Sequence, residues 1–535
     1  MSPEAAGSNG IVPFDRYPGL PELFRRFLAG LPEFFPDPPT LDAAAGRAGE
    51  LLGSPARAPA EAFRFRGDAA RDSARELAAG RAVAVVAGHQ VGLFTGPLFT
   101  ITKAFDVMRI ARGLRERGIP AVPVFWALTD DHDLEEIART AKPGKEAPDT
   151  FVLEGSDRAN RRPVGDIPIP ARVGEVLDAF APDARSPQSS EWLERLRQRY
   201  SAGATYGGAF IEALLDMAGD ELLVLDPSSE ALRRPTADFF RTAFERREAL
   251  HGALRDAAER LEKAGLPVPV PYRPDVFPMF VIANEERRRA DDPASAVARI
   301  ERGEAWASTD VLTRPLLKSW LMPTAATVLG PSEIAYHAQA LRLFPVFDLK
   351  APVLFPRSFL IPLGPPERRA MEALGVTRDG LLVPAAEAAP VAVPGFEALA
   401  KAASDAERDL GALEPDLKAL DPTLVGALET TRRKIAYQIE QLRERMKKAA
   451  ERKDDVANAR RRRLDTMLLP QGAPAERLYP PLVTLLAYGP EALETLRSAA
   501  QGSTQGAAVV DLGTEPGAPP EDAGPKPAAG DAHGG

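Results

Sequence analysis

The chain has 535 residues, 44% of them hydrophobic, enough for about three domains and a sizeable buried core. No run reaches the roughly 18 to 20 apolar residues of a membrane span, Met1-Ser2-Pro3-Glu4 lacks the basic and apolar stretches of a secretion signal, and the absence of cysteine excludes disulfides, thiolate metal sites and a thiol nucleophile. The net charge is −9, with five acids against Lys526 after Ala500, so neither nucleic acid nor a membrane is an expected partner and the expected compartment is cytoplasmic.

Residues 1–80 read as an N-terminal helical segment packing on the core, with Leu20, Leu23, Phe24 and Phe27 at helical spacing. Ala82-Val83-Ala84-Val85-Val86-Ala87 is a short, wholly apolar run, as a strand buried on both faces requires. After the loop Gly88-His89-Gln90-Val91-Gly92-Leu93-Phe94-Thr95-Gly96-Pro97, the residues Ile101, Phe105, Met108, Ile110 and Leu114 form a helical stripe that Gly118 stops. Ala121 to Ala127 is a second apolar strand, closed by Thr129-Asp130-Asp131-His132-Asp133. Strand, glycine loop, helix and strand make a βαβ unit over 81–139, the first part of an α/β core.

Residues 140–205, polar and proline-rich, read as a connecting insertion. The core resumes over 206–395, with strands expected at 222–227 and 352–357 and a mostly helical insertion over 228–320. The runs Arg287–Arg289 and Arg460–Arg463 are expected to be solvated helix faces. Over 396–465, Leu428, Ile435, Leu442, Ala449 and Val456 repeat every seven residues, while Arg432 and Lys453 interrupt the other seam position. This predicts a self-associating or antiparallel coiled-coil arm; an amphipathic helix packed on its own domain is the alternative. A helical segment is expected over 466–500, and the Gly-, Ala- and Pro-rich 501–535 is expected to be disordered.

The loop 88–97 stands at the C-terminal end of the first strand, where open α/β sheets bind ligands. Gly88, Gly92 and Gly96 permit close backbone approach, and the helix starting near Pro97 is expected to aim free N–H groups, Thr100 and Lys103 at an anion or phosphate. The spacing matches neither a P-loop nor a dinucleotide fingerprint, and a mere tight turn is the alternative. Asp131, His132 and Asp133 close the second strand on the same sheet edge. A histidine between carboxylates favours its charged form, suiting proton transfer or amine binding; capping of the helix at Leu134 and a metal site are the alternatives. Glu333, Tyr336 and His337 open a later helix, and Arg357, before Ser358, can clamp a carboxylate.

Five ordered motifs carry a family resemblance: Gly88 to Ala104, Pro123 to Asp133, Leu312-Thr313-Arg314-Pro315-Leu316, Gly330-Pro331-Ser332-Glu333-Ile334-Ala335-Tyr336 and Pro352 to Ser358. Together with the coiled coil and Tyr488-Gly489-Pro490, the chain resembles the bacillithiol-biosynthesis cysteine-adding family of cysteine ligases over roughly residues 10–500. The resemblance implies a Rossmann-like nucleotide-binding core of class I synthetase type, helical connecting insertions, and a C-terminal coiled coil that forms a homodimer. It also implies amide formation between cysteine and glucosaminyl malate, with ATP as the energy source, Mg2+ an optional companion and no metal site in the protein.

On that reading His89, Gln90, Lys103, His132 and Asp133 are the expected catalytic residues. Gly88, Gly92, Gly96, Thr100, Asp131, Arg314, Glu333, Tyr336 and Arg357 are the expected binding residues, with Arg314 and Arg357 on substrate carboxylates. The family pattern more usually has glutamine where this chain has His89, and the second histidine of a synthetase His-x-Gly-His signature and a Lys-Met-Ser-Lys-Ser loop are absent. The rivals are another nucleotide-dependent ligase or nucleotidyltransferase on the same fold, and a non-catalytic nucleotide-binding coiled-coil dimer.

Overall fold

A computed structural model describes residues 10–153, 161–383, 395–451 and 455–513. In chain order its strands are β1 (Ile11–Pro13), β2 (Phe63–Arg64), β3 (Val83–Gln90), β4 (Ala121–Leu128), β5 (Arg139–Lys142), β6 (Asp149–Val152) and β7 (Leu223–Leu225). These are followed by β8 (Met279–Ala283), β9 (Glu286–Arg289), β10 (Trp306–Thr309), β11 (Thr324–Leu329), β12 (Val353–Pro356), β13 (Leu360–Leu363) and β14 (Gly506–Asp511).

The central sheet runs β12-β11-β3-β4-β7-β2, parallel throughout except for β2 against β7. Strand alternation divides β3 between two cores. Val83, Val85 and Ala87 pack with Ile101 and Phe105 of the helix Leu98–Glu116, whereas Ala84 and Val86 pack with Trp126 and Leu316 on the other face. The chain moves from β3 to β4 in one direction and later returns through β11 on the other side. The C-terminal ends of β3 and β11 therefore flank the switch point where such sheets form a crevice.

Strand β11 was not anticipated: Thr-Ala-Ala-Thr-Val-Leu is alanine-rich and gives little strand signal. The mostly helical reading of 228–320 is corrected over 279–309, which forms the antiparallel sheet β10-β8-β9. Asn284 and Glu285 join β8 to β9 with positive φ at both positions, a type I′ pattern without the usual Asn-Gly signature. The insertion after 139 holds the β5–β6 hairpin and the helices Val173–Phe180 and Pro187–Arg199.

The disorder expected over 501–535 is corrected at β14, whose Ala507, Val509 and Val510 are buried. This strand pairs antiparallel with β1 and parallel with β13, fastening the two ends of the described chain together; 514–535 lie outside the described residues. The arm is an antiparallel helical hairpin in which Phe396–Ala412 lies along Leu424–Glu451, with Arg432 paired to Glu407 and Met446 near Gly395. Of the expected seam, Leu428 is buried and Ile435 half-buried, but Leu442 is 48% exposed. The side chains of Ala449, Lys453 and Val456 lie outside the described residues. Among the described residues no helix is long and apolar enough to cross a membrane.

A candidate active-site crevice

Gly88 is required by close packing: a Cβ there would sit 2.9 Å from the Trp126 carbonyl oxygen. Beyond it the loop makes a 3-10 turn over Leu93–Thr95 before the helix begins. Phe94 and Thr95 both have positive φ, a costly state for a β-branched threonine. Tyr200, from the connecting insertion, holds this turn. Its hydroxyl accepts from the Thr95 amide at 3.0 Å and donates to the Gly92 carbonyl at 3.3 Å, while its ring lies edge-on to Phe94.

The N–H groups at the start of this helix are partly taken within the protein. The Leu98 amide donates to the Tyr479 carbonyl, and Thr100, fully buried, turns its Oγ1 toward Gly96 and lines neither lobe of the crevice. Lys103, one turn on, does reach it. Its Nζ donates to the Gly88 carbonyl at 2.9 Å and to Glu333 Oε2 at 2.5 Å, joining β3 to the helix Pro331–Ala340 across the switch point. Glu333 also accepts from the Gly330 amide. Burial opposes its ionisation, but Lys103 outweighs this and holds the carboxyl at about 2.

Asp131 is the hub of the second loop. Its Oδ1 accepts from the His132 amide and from Arg287 at 3.2 Å, and its Oδ2 from Gln90 at 3.1 Å and Arg314 at 3.3 Å. Burial alone would raise this carboxyl; the donors of His132, Arg314 and Arg287 hold it well below the usual range. With four donors in place, Asp131 positions side chains and does not itself await an amine. His132 Nδ1 lies 2.7 Å from Arg287 Nη1 and 3.4 Å from Asp131 Oδ1, so a guanidinium as well as a carboxylate stands beside the ring. Asp133 is exposed and caps the helix Leu134–Ile137 through the Glu136 amide, so the capping alternative holds there.

Between these groups lies a crevice of about 370 Å³, lined by Gly88, His89, Gln90, Lys103, Arg314, Lys318, Glu333, Tyr336, Arg357 and Arg477. A second lobe of about 260 Å³ shares His89, Gln90, Phe99, Glu136 and Arg477 and adds Gly92 and Gly96. His89 packs edge-on to Phe99, and burial, reinforced by Lys103, pushes its imidazole down to about 3, so it is neutral near pH 7. Burial and Glu333 hold the Tyr336 hydroxyl protonated. Gln90 Oε1 is buried without a donor among the described residues. No cluster of three or more potential metal ligands occurs among the described residues.

Arg357 lines the crevice, but its expected clamp on a substrate carboxylate is corrected. Both terminal nitrogens bind Glu476, at 2.6 and 3.0 Å, so a carboxylate of the protein already fills the fork.

Four further contributors enter the site through the tertiary structure. Arg287, expected on a solvated helix face, instead points inward from β9 and is buried, donating to Ser308, to the Thr309 carbonyl and to Asp131, while Arg288 points out to Glu286. The apolar run Met279 to Ala283 was the available strand signal. Lys318 follows Arg314 by four residues on the helix Arg314–Leu321, a spacing that puts both on one face. Tyr200 and Arg477 come from distant segments and carried no local signal.

Two family models match the chain: "Bacillithiol biosynthesis BshC, N-terminal Rossmann-like domain" over residues 56–358, and "Bacillithiol biosynthesis BshC, C-terminal coiled-coil domain" over 392–512. The chain is 30% identical over 429 residues to the "Putative cysteine ligase BshC" of Solibacter usitatus, a match spanning 76% of this chain and 80% of that protein. Proteins of the same name from Salinibacter ruber and Thermus thermophilus are 28% and 30% identical over 457 residues. Each match covers 80% of this chain, with 83% and 88% of the respective relatives.

Proposed function

This chain belongs to the bacillithiol biosynthesis BshC family, and we propose that it is a cysteine ligase that joins the carboxylate of cysteine to the amine of glucosaminyl malate in an ATP-dependent reaction. The observation that carries this reading is the crevice at the β3–β11 switch point, where Arg314, Lys318 and Arg477 line one cavity beside the Lys103–Glu333 pair. A carboxylate and an amine do not condense in water until the acid carries a leaving group, so such a site must hold several anionic groups together. Arg314, oriented by Asp131, and Arg477, which has no ion pair among the described residues, suit the carboxylates of malate and the phosphates of ATP. Gln90 Oε1 is an acceptor for an amine N–H, and the neutral His89 shapes the wall shared by the two lobes.

Mass spectrometry of the purified full chain incubated with glucosaminyl malate, cysteine and ATP tests the reading. A product heavier by one cysteinyl unit, appearing only with ATP, supports it. Product without ATP removes the energy source, and no product removes the reaction. We further propose a homodimer through the arm, which leaves Tyr437 61% and Leu442 48% exposed; a monomeric mass in light scattering would refute this. An ATP-dependent reaction also suits the cytoplasm.

A further inference from the structure

The crevice holds one amine that the ion pairs around it leave over. Lys318 is only 9% exposed, and its Nζ lies beneath Gly88, where a Cβ would come within 3.3 Å of it. Two cationic neighbours already have protein partners: Lys103 has Glu333 and the Gly88 carbonyl, and Arg314 reaches Asp131 through one terminal nitrogen. Lys318 Nζ has no hydrogen-bond or ion-pair partner among the described residues, and lies 5.8 Å from the centre of the Trp126 ring.

We propose that Lys318 is the base that takes a proton from the ammonium of the acceptor substrate during amide formation. This rests on the ligase reading and adds the residue that makes the amine nucleophilic. Apart from Glu136, which also lines the crevice and whose carboxyl is raised by burial, the neighbouring candidates are unsuitable. Glu333 is held at about 2 by Lys103, Asp131 is surrounded by donors, and His89 is pushed down to about 3. Burial pushes Lys318 down to about 7; Arg314 and Lys103 add to the shift and Glu333 opposes it. His337, on the same helix as Glu333, is itself pushed down to about 4 by burial and so adds little charge near pH 7. A base is most effective when its value lies near the working pH.

The step balances as follows. The neutral Lys318 amine accepts one proton from the substrate ammonium. The freed amine attacks the carbonyl carbon of an acyl phosphate or acyl adenylate. A C–N bond forms, the C–O bond to the phosphate-bearing leaving group breaks, and that group leaves with the electron pair. The nitrogen loses its second proton to water, and Lys318 returns its proton to solvent.

The test is the pH dependence of kcat and of KM for the amine in the wild type, K318R and K318M, read by product mass spectrometry, with folding checked by circular dichroism. Both variants are expected to lose about 10²- to 10⁴-fold in kcat with KM little changed. The wild-type rate should fall below about pH 7 as Lys318 takes up its proton, a limb absent from the residual activity of the variants. K318R keeps a positive charge, so wild-type kcat with an unchanged limb in that variant overturns the proposal. A raised KM with intact kcat would make Lys318 a binding cation and overturns it equally. K318M keeps similar bulk without charge and provides the comparison where the larger arginine disturbs folding. A wild type that forms no cysteinyl product refutes the ligase reading itself, a result separate from selective loss in the variants.

Discussion

Arg287 Nη1 lies 3.2 Å from Asp131 Oδ1, and this ion pair ties the β10-β8-β9 sheet to the loop that ends β4. The two residues are 156 positions apart in the chain. Arg287 also stacks over Phe280 at 3.8 Å, and its Nε donates to Ser308, which in turn donates to Asp130.

Replacing Arg287 by Met should therefore disturb the site from outside it. Removing one partner of a buried pair costs about 3–5 kcal/mol, and the low end applies here because Arg314 still neutralises Asp131. Urea unfolding measures the loss. Stability within error of wild type would show that the pair does not fasten the sheet.

Tyr200→Phe removes the hydroxyl that holds the strained Gly92–Gly96 turn and leaves the Thr95 amide without its acceptor. An unsatisfied buried donor costs about 1–3 kcal/mol. Hydrogen exchange at Thr95 should accelerate, and substrate KM should rise through the second lobe. Unchanged protection of that amide would mean that packing against Phe94 alone maintains the turn.

The Arg357–Glu476 pair, which also receives the Tyr17 hydroxyl, joins the N-terminal segment, the end of β12 and the segment carrying Arg477. E476Q should destabilise by about 3–5 kcal/mol by leaving the Arg357 charge uncompensated. The double variant R357M/E476M should lose less than either single one, because no buried charge remains. Denaturation midpoints of the set decide between coupled and independent effects.

Lys318 gives a stability signature separate from catalysis. Its folded value, about 7, lies below the ordinary 10.5, so between these values the unfolded chain holds a proton that the folded chain has released. Wild-type stability contributed by this group rises with pH across that window and is penalised at its lower end. K318M should have the higher Tm at pH 7, with the difference shrinking toward pH 10. A pH-independent difference would show that the amine is not perturbed.

Elements whose signal is local were legible in the amino-acid order. Wholly apolar runs at β3 and β4 can be satisfied only by a sheet covered on both faces. The intervening glycine loop, the Gly330–Tyr336 turn and helix, and the ordered motifs announced the α/β core and the family. Lys103 and Glu333 are each legible in their own motif, but not as a pair.

Which charges are free was settled only by contacts across the fold. Asp131, Arg287 and Arg314 come from separate elements, as do Arg357 and Glu476, and nothing within a short window signals their pairing. Three consecutive arginines have the same composition on a solvated helix as on a strand; only the alternation of β9, fixed by its pairing with β8, turns Arg287 inward and Arg288 outward. Whether a lysine stays an ordinary cation or becomes a base depends on burial and on which carboxylates its neighbours have already taken, and both follow from residues that the chain brings together from far apart.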